Sequence, residues 1–197
     1  VNIYRANIPA KYGGRIASIL GIKVKNPYTD SFKLEGGIGL VSSRLTLTTP
    51  IIKDKLMVIA GGRLGLSDLF FPILIPRLKN TRANFNDSTV KLLYIPNSNN
   101  QLTYTNFLSN DFYQLDLISS VENIISSSNQ YEFSTINHSL KWLHTFKNDT
   151  NLTGSLIHSS YKPKNLFPEI DSDNVISFES QVDYSSIQFE YLNSNND

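Results

Sequence analysis

The chain contains no cysteine, which excludes disulfides and thiolate metal sites and leaves the redox compartment open. Charge is also scarce. Charged residues make up 18% of the sequence, against roughly 25% in an average soluble domain, and Ser, Thr and Asn fill the deficit. A formal net charge of +1 gives no overall field for nucleic acid or an anionic surface, so partners must be held by local patches. Long apolar runs are missing too. The longest, Leu69 to Ile75, contains Pro72, is followed by Pro76, and falls far short of the roughly 18 to 20 residues that a spanning helix needs. The first residues, Val1 to Arg5, lack an initiator Met and the basic and apolar parts of a signal peptide. The chain is therefore expected to begin inside a longer protein or after processing.

What is present is period-two alternation in segments of about 8 to 12 residues. Phe32, Leu34, Gly36, Ile38 and Leu40 alternate with Lys33, Glu35, Gly37 and Gly39, which gives one apolar and one polar or small face. The same pattern predicts strands around 44–51, 55–66, 89–94, 102–108, 135–146, 152–161 and 175–191, the last changing phase near Ser185-Ser186 as at a bulge. In the third segment Met57 and Ile59 break an otherwise polar face. Short turns near 42, 53, 97 and 149, the last three containing Asn or Asp, alternate with long connections at 67–83, 109–130 and 162–174, the first connection being the short exception. Membrane β-barrels show this asymmetry. A soluble sandwich also gives regular strands, though of about 5 to 6 residues and without alternating loop lengths. Periodicity alone leaves both open.

No catalytic constellation is expected. Ser159-Ser-Tyr-Lys162 has the Ser-x-x-Lys spacing of acyl-serine enzymes, but that chemistry needs a helix start, and here the motif ends a strand beside Pro163. His138, His144 and His158 lie far apart without acidic partners at zinc spacing, and His138 and His144 read as interfacial rings near Trp142. Tyr12-Gly13-Gly14-Arg15 has neither the Gly-Lys-Ser/Thr nor the following helix of a phosphate loop; its glycines read as backbone freedom at a tight turn and Arg15 as an anchor for a carboxylate or a solvated cation. The chain is read as a non-enzyme with no cofactor and no metal. Two loops are candidates for contact with a ligand or partner. One combines Phe70 and Phe71 with Arg77, Lys79 and Arg82, suited to an anionic ligand, lipopolysaccharide or a partner protein; the alternative is a loop folded onto its neighbours. The other carries Phe112 and Tyr113, suited to stacking on a carbohydrate, beside a Ser-rich run that reads equally as mobile.

Certain motifs, taken in order, resemble a known family. Ile8-Pro-Ala-Lys-Tyr12-Gly-Gly-Arg15-Ile-Ala-Ser-Ile-Leu-Gly-Ile-Lys-Val-Lys25 resembles the plug exit of TonB-dependent outer-membrane receptors of the Bacteroidetes (Bacteroidota) type. Glu35 to Pro50 is similar to their first barrel hairpin, Gly62 to Phe70 to their third strand, and Asn137 to Phe146 to their sixth. The resemblance implies an all-β fold: a transmembrane antiparallel barrel of about 22 strands, with about eight present here, preceded by the last strand of a plug. Residues 1–27 would end the plug and 28–197 would begin the barrel. The implied function is import of a scarce nutrient across the bacterial outer membrane, energised through TonB by a region upstream. Implied partners are outer-membrane lipid and lipopolysaccharide, with a lipoprotein lid left open and no nucleic acid. Under this reading Leu45, Leu47, Val58, Leu64, Val90, Leu92, Leu140 and Trp142 face lipid. Thr46, Thr48, Arg63, Lys91, Asn137 and Lys141 face the lumen. A second class of reading, a barrel serving as scaffold in an assembly or secretion complex, fits the same fold. A soluble all-β binding module fits the alternation less well.

Overall fold

The computed structural model of the protein describes residues 2–5, 8, 18–75, 81–115, 119–121, 124–126, 128–147, 150–170 and 172–193. Among the described residues, strands β1 (Asn2–Arg5) and β2 (Ser18–Gly21) pair only with each other. Their register runs from Asn2↔Gly21 to Arg5↔Ser18. Residues 22–32 then lead to the main sheet, a nine-stranded antiparallel meander. It comprises β3 (Lys33–Ile38), β4 (Ser42–Ile52), β5 (Leu56–Gly65), β6 (Arg82–Asn97), β7 (Asn100–Leu115), β10 (Asn129–Thr145), β11 (Asn151–Pro168), β12 (Val175–Glu179) and β13 (Val182–Leu192). A separate small hairpin, β8 (Ser119–Val121) and β9 (Ile124–Ser126), lies within the β7–β10 connection.

Turn chemistry fixes one end of the sheet. Asp54 turns the chain between β4 and β5 with a positive φ of 60°, a conformation that a short polar side chain tolerates better than a branched one. The Asn97–Asn100 turn is closed by the Asn97 carboxamide, which accepts from the Asn99 amide and the Asn100 side chain. At the opposite end the β3–β4 turn is short, closed by the Gly39 amide on the Ser42 carbonyl, but the later connections are longer, and one contains helix α1 (Ser67–Leu74), a segment whose pattern predicts only loop. Asp68 in its first turn accepts from the Ala83 amide at 2.5 Å and from the Asn84 side chain at 2.7 Å, which ties the helix start to β6 and places a negative charge where the helix dipole favours it.

The stretches expected as long loops at 109–130 and 162–174 are largely strand. β6, β7, β10 and β11 run for 16, 16, 17 and 18 residues, well beyond the roughly 9 to 11 that cross a bilayer. Backbone pairing continues there because aromatic side chains meet across the strands. Tyr131 and Phe167 pack edge to face at 6.1 Å, as do Phe167 and Phe178 at 5.9 Å, and Phe133 stacks with Tyr161 at 6.4 Å.

The bulge expected near Ser185-Ser186 is absent. β13 and β12 both border β11 in a single register, from Asn151↔Leu192 to Pro168↔Val175, so they occupy one position in the sheet, the eighth. The ladder lapses only at Ser180-Gln181, opposite Lys162-Pro163, where proline has no amide to donate; the Ser180 amide still donates to the Pro163 carbonyl. What changes along this edge is which face is apolar.

Candidate functional site

Register assigns every strand residue to one of two faces. The row Thr48, Ile59, Lys91, Thr105, Ser139, Ile157 and Ser186 lies on one, and the row Leu47, Ala60, Val90, Asn106, His138, His158 and Ser185 on the other. Residues 22–28 cross the first, here called the inner face. Lys91 Nζ donates to the Val24 carbonyl at 2.6 Å, and the Tyr28 hydroxyl donates to Gln101 at 3.0 Å. Of the two apolar exceptions of β5, Ile59 lines a cleft with Val24 of this strap; both Met57 and Ile59 are buried, and Leu93, directly opposite Met57, has no exposed surface. Pro27 is fully buried as well.

Toward the turn end, the outer face is apolar. Leu34, Leu45, Leu47, Val58, Val90, Leu92, Leu102, Leu140, Leu156, Ile187 and Phe189 share it, many of them largely exposed. Trp142 and His144 mark its lower edge, both bonded to the Asn100 carboxamide. No Lys, Arg, Asp or Glu of these strands points outward until Glu132, Lys162 and Asp183 are reached. Toward the long-connection end the pattern inverts. There the outer face carries Asn84, Asn110, Ser134, Lys162 and Lys164, and the inner face carries Phe85, Tyr113, Tyr131, Phe133, Tyr161, Phe167 and Phe178.

The inner aromatic wall is the candidate site. Its lower border is polar and charged: Arg63 donates from Nε to Asp87 at 2.8 Å, with Nη2 2.6 Å from the same oxygen, and its guanidinium lies 5.6 Å from the Phe85 ring centroid. Gly65 permits this arrangement, since a Cβ there would come within 2.8 Å of the Phe85 ring and amide. Asp111, bonded by the Ser109 hydroxyl at 3.0 Å, stands between Phe85 and Phe133 in the same row. Rings with a few fixed polar groups at one edge form a platform suited to a planar or ring-bearing solute.

The residues singled out in the sequence fare unevenly. Arg63, Lys91 and Lys141 share the inner face. Phe112 and Tyr113 do not act together: Tyr113 joins the inner aromatic wall, while Phe112 points outward into a polar cleft with Glu132, Lys162 and Lys164. In that cleft Lys164 Nζ lies 2.8 Å from Glu179, whose carboxyl is held below its ordinary range by this hydrogen bond and by that of Ser177. Phe70 is half-buried on α1, and Arg82 is exposed at the start of β6. Tyr12, Gly13, Gly14, Arg15, Arg77 and Lys79 lie outside the described residues, as does the Phe71 side chain. Ser159 and Lys162 fall on opposite faces of β11, so the hydroxyl and amine cannot meet.

His138 and His158, far apart in sequence, stand directly opposite one another on β10 and β11. Each uses Nδ1 locally: His138 with the Tyr104 hydroxyl at 2.9 Å, His158 with the Ser185 hydroxyl at 2.9 Å. Among the described residues, no third His, Cys, Asp or Glu joins them. No protein-family model, curated protein or solved structure matches this chain.

The aromatic wall was hidden in the sequence because its members are spread from Phe85 to Phe178 and most of them, Tyr161 and Phe178 excepted, fall between the expected strands. Their signal was present: Tyr131 and Phe133, and Phe107 and Tyr113, fall at even spacings.

Proposed function

We propose that this chain forms part of the wall of an outer-membrane β-barrel, and that the barrel is an active-import receptor of the TonB-dependent kind in the bacterial outer membrane. The observation that carries this is the inversion of the apolar face along continuous strands. An outward apolar band free of charge suits hydrocarbon, and the polar outward surface above it suits the headgroup layer, where lipopolysaccharide and a lipoprotein lid would be met. The inward aromatic wall would then receive the imported nutrient, while the strap and the β1–β2 ribbon would belong to the plug that TonB displaces. The free edges at β3 and β13 would be completed by further strands, since open edges do not occur in hydrocarbon. The resemblance of residues 8–25, 35–50, 62–70 and 137–146 to the family's motifs supports the same reading.

Because the chain has no cysteine of its own, single cysteines can report depth. In the intact protein in lipid vesicles, spin labels at Leu92 and Leu140 should be reached by oxygen and shielded from a water-soluble nickel chelate, with the reverse at Thr105 and Asn110. Free access of the chelate to Leu92 and Leu140 would reject the membrane wall. Lipid insertion without energy-dependent uptake in cells would leave the barrel standing and replace the importer with a scaffold subunit.

A further inference from the structure

The strap and the wall enclose a cleft of about 480 Å3 on the lower inner face. Its charged lining residues are Lys23 of the strap, Lys91 of β6 and Lys141 of β10; among the described residues no Asp or Glu lines it. The ammonium groups of Lys23 and Lys141 are close enough to that of Lys91 to repel it. Register offers no relief: Lys91 stands between Ile59 and Thr105, and Lys141 between Thr103 and Ser155. Lys91 is only 8% exposed and its partner is a neutral carbonyl, that of Val24. Burying a cation beside two others without a counter-charge is costly. The cleft also holds the hydroxyls of Thr103, Thr105 and Ser139; that of Thr103 accepts from the Gln101 side chain and keeps its own proton to donate.

We propose that this cleft is an oxyanion site, taking a carboxylate or phosphate group between the strap and the wall. Two or three ammonium groups and nearby hydroxyls supply charge-assisted donors from several directions, the arrangement such groups favour. An anion seated there would tie the strap, through Lys23, to β6 and β10, so its arrival or removal would alter how firmly residues 22–26 hold to the sheet. The anion has two sources, a free small ion or the carboxylate side chain of a protein segment lodged beside the wall. The inference rests on the strap's position and stands whether or not the outer face meets lipid.

The test uses the intact protein in detergent. Inorganic phosphate and acetate are titrated by calorimetry at constant ionic strength with chloride, into the wild type and into Lys141→Gln and Lys23→Gln, whose side chains lack the Val24 contact. In parallel, a carbodiimide is used to join any carboxylate already in contact with Lys23 or Lys141, and the linked peptides are read by mass spectrometry. Saturable phosphate or acetate binding, weakened at least tenfold by either substitution, supports a free anion. No small-anion binding, with a specific amide link from Lys23 or Lys141 to an Asp or Glu, supports a protein carboxylate. Binding that ignores both substitutions, or neither binding nor link, overturns the site. These readouts are independent of label depth and uptake, so failure here is distinct from failure of the importer reading.

Discussion

The two halves of the sheet use the same strands and opposite faces. In the half near the short turns, Leu92, Leu140 and Leu156 point outward while Lys91, Thr103 and Ser139 point inward under the strap. In the other half, Asn110, Ser134 and Lys162 point outward while Tyr131, Phe133 and Tyr161 point inward. The register shifts only near the short turns, at Pro50–Ile52 and Tyr94–Asn97, and runs unbroken from one half into the other, so the difference between the halves lies in composition. The solvent of a strand can change along its length, and the apolar side changes with it.

The largest expected effect separates the halves directly. Leu92→Arg or Leu140→Arg should cost about 2 to 4 kcal/mol in equilibrium unfolding from lipid vesicles, whereas Asn110→Arg should cost well under about 1 kcal/mol. Equal costs at the two levels would remove the contrast. Next, Gly65→Ala forces a methyl to within 2.8 Å of the Phe85 ring and amide; overpacking of this kind should cost about 1 to 3 kcal/mol, read as a lowered midpoint in the same unfolding assay. Phe133→Ala should remove about 0.5 to 1.5 kcal/mol of ring interaction beyond its area term. That loss should speed amide exchange in 129–135 and 161–168 while leaving 138–145 protected; faster exchange along the whole of β10 would mean the halves are one cooperative unit.

Smaller still is Arg63→Gln. The guanidinium is more than half exposed beside Asp87, so solvent screening holds the expected loss to about 1 kcal/mol or less. The smallest effect is in pH. Glu179 is depressed from an ordinary value of 4.5 by Lys164 and Ser177, so its contribution is present above that value and fades as pH falls through the lower folded one. Amide exchange in β12, corrected for its intrinsic pH dependence, should quicken in that acid window, and Lys164→Gln should remove the dependence.

Strand order and face assignment were legible because period two leaves little freedom: Leu47, Val90 and Leu140 on one side and Lys91 and Lys141 on the other follow from alternation alone. Met57 and Ile59 were visible as exceptions; that Val24 of the strap lies beside Ile59 was not. The phase change read at Ser185-Ser186 mistook a change of apolar face for a change of register, because sequence alone cannot distinguish a slipped strand from a changed environment. The aromatic wall was hidden for the same reason: its residues look like loop when only outward hydrophobes are counted.

By itself, then, the sequence determined an antiparallel meander of eight strand positions, its short turns and the sidedness of its lower half, since these depend on local alternation and on Asn and Asp turn chemistry. Only the tertiary structure decided that the strands continue past the apolar band, that Phe85 through Phe178 gather on one inner surface, and that Lys23, Lys91 and Lys141 share a cleft. Those are contacts between residues distant in the chain, set by cross-strand register and by where the strap lies, and no window of local sequence contains them.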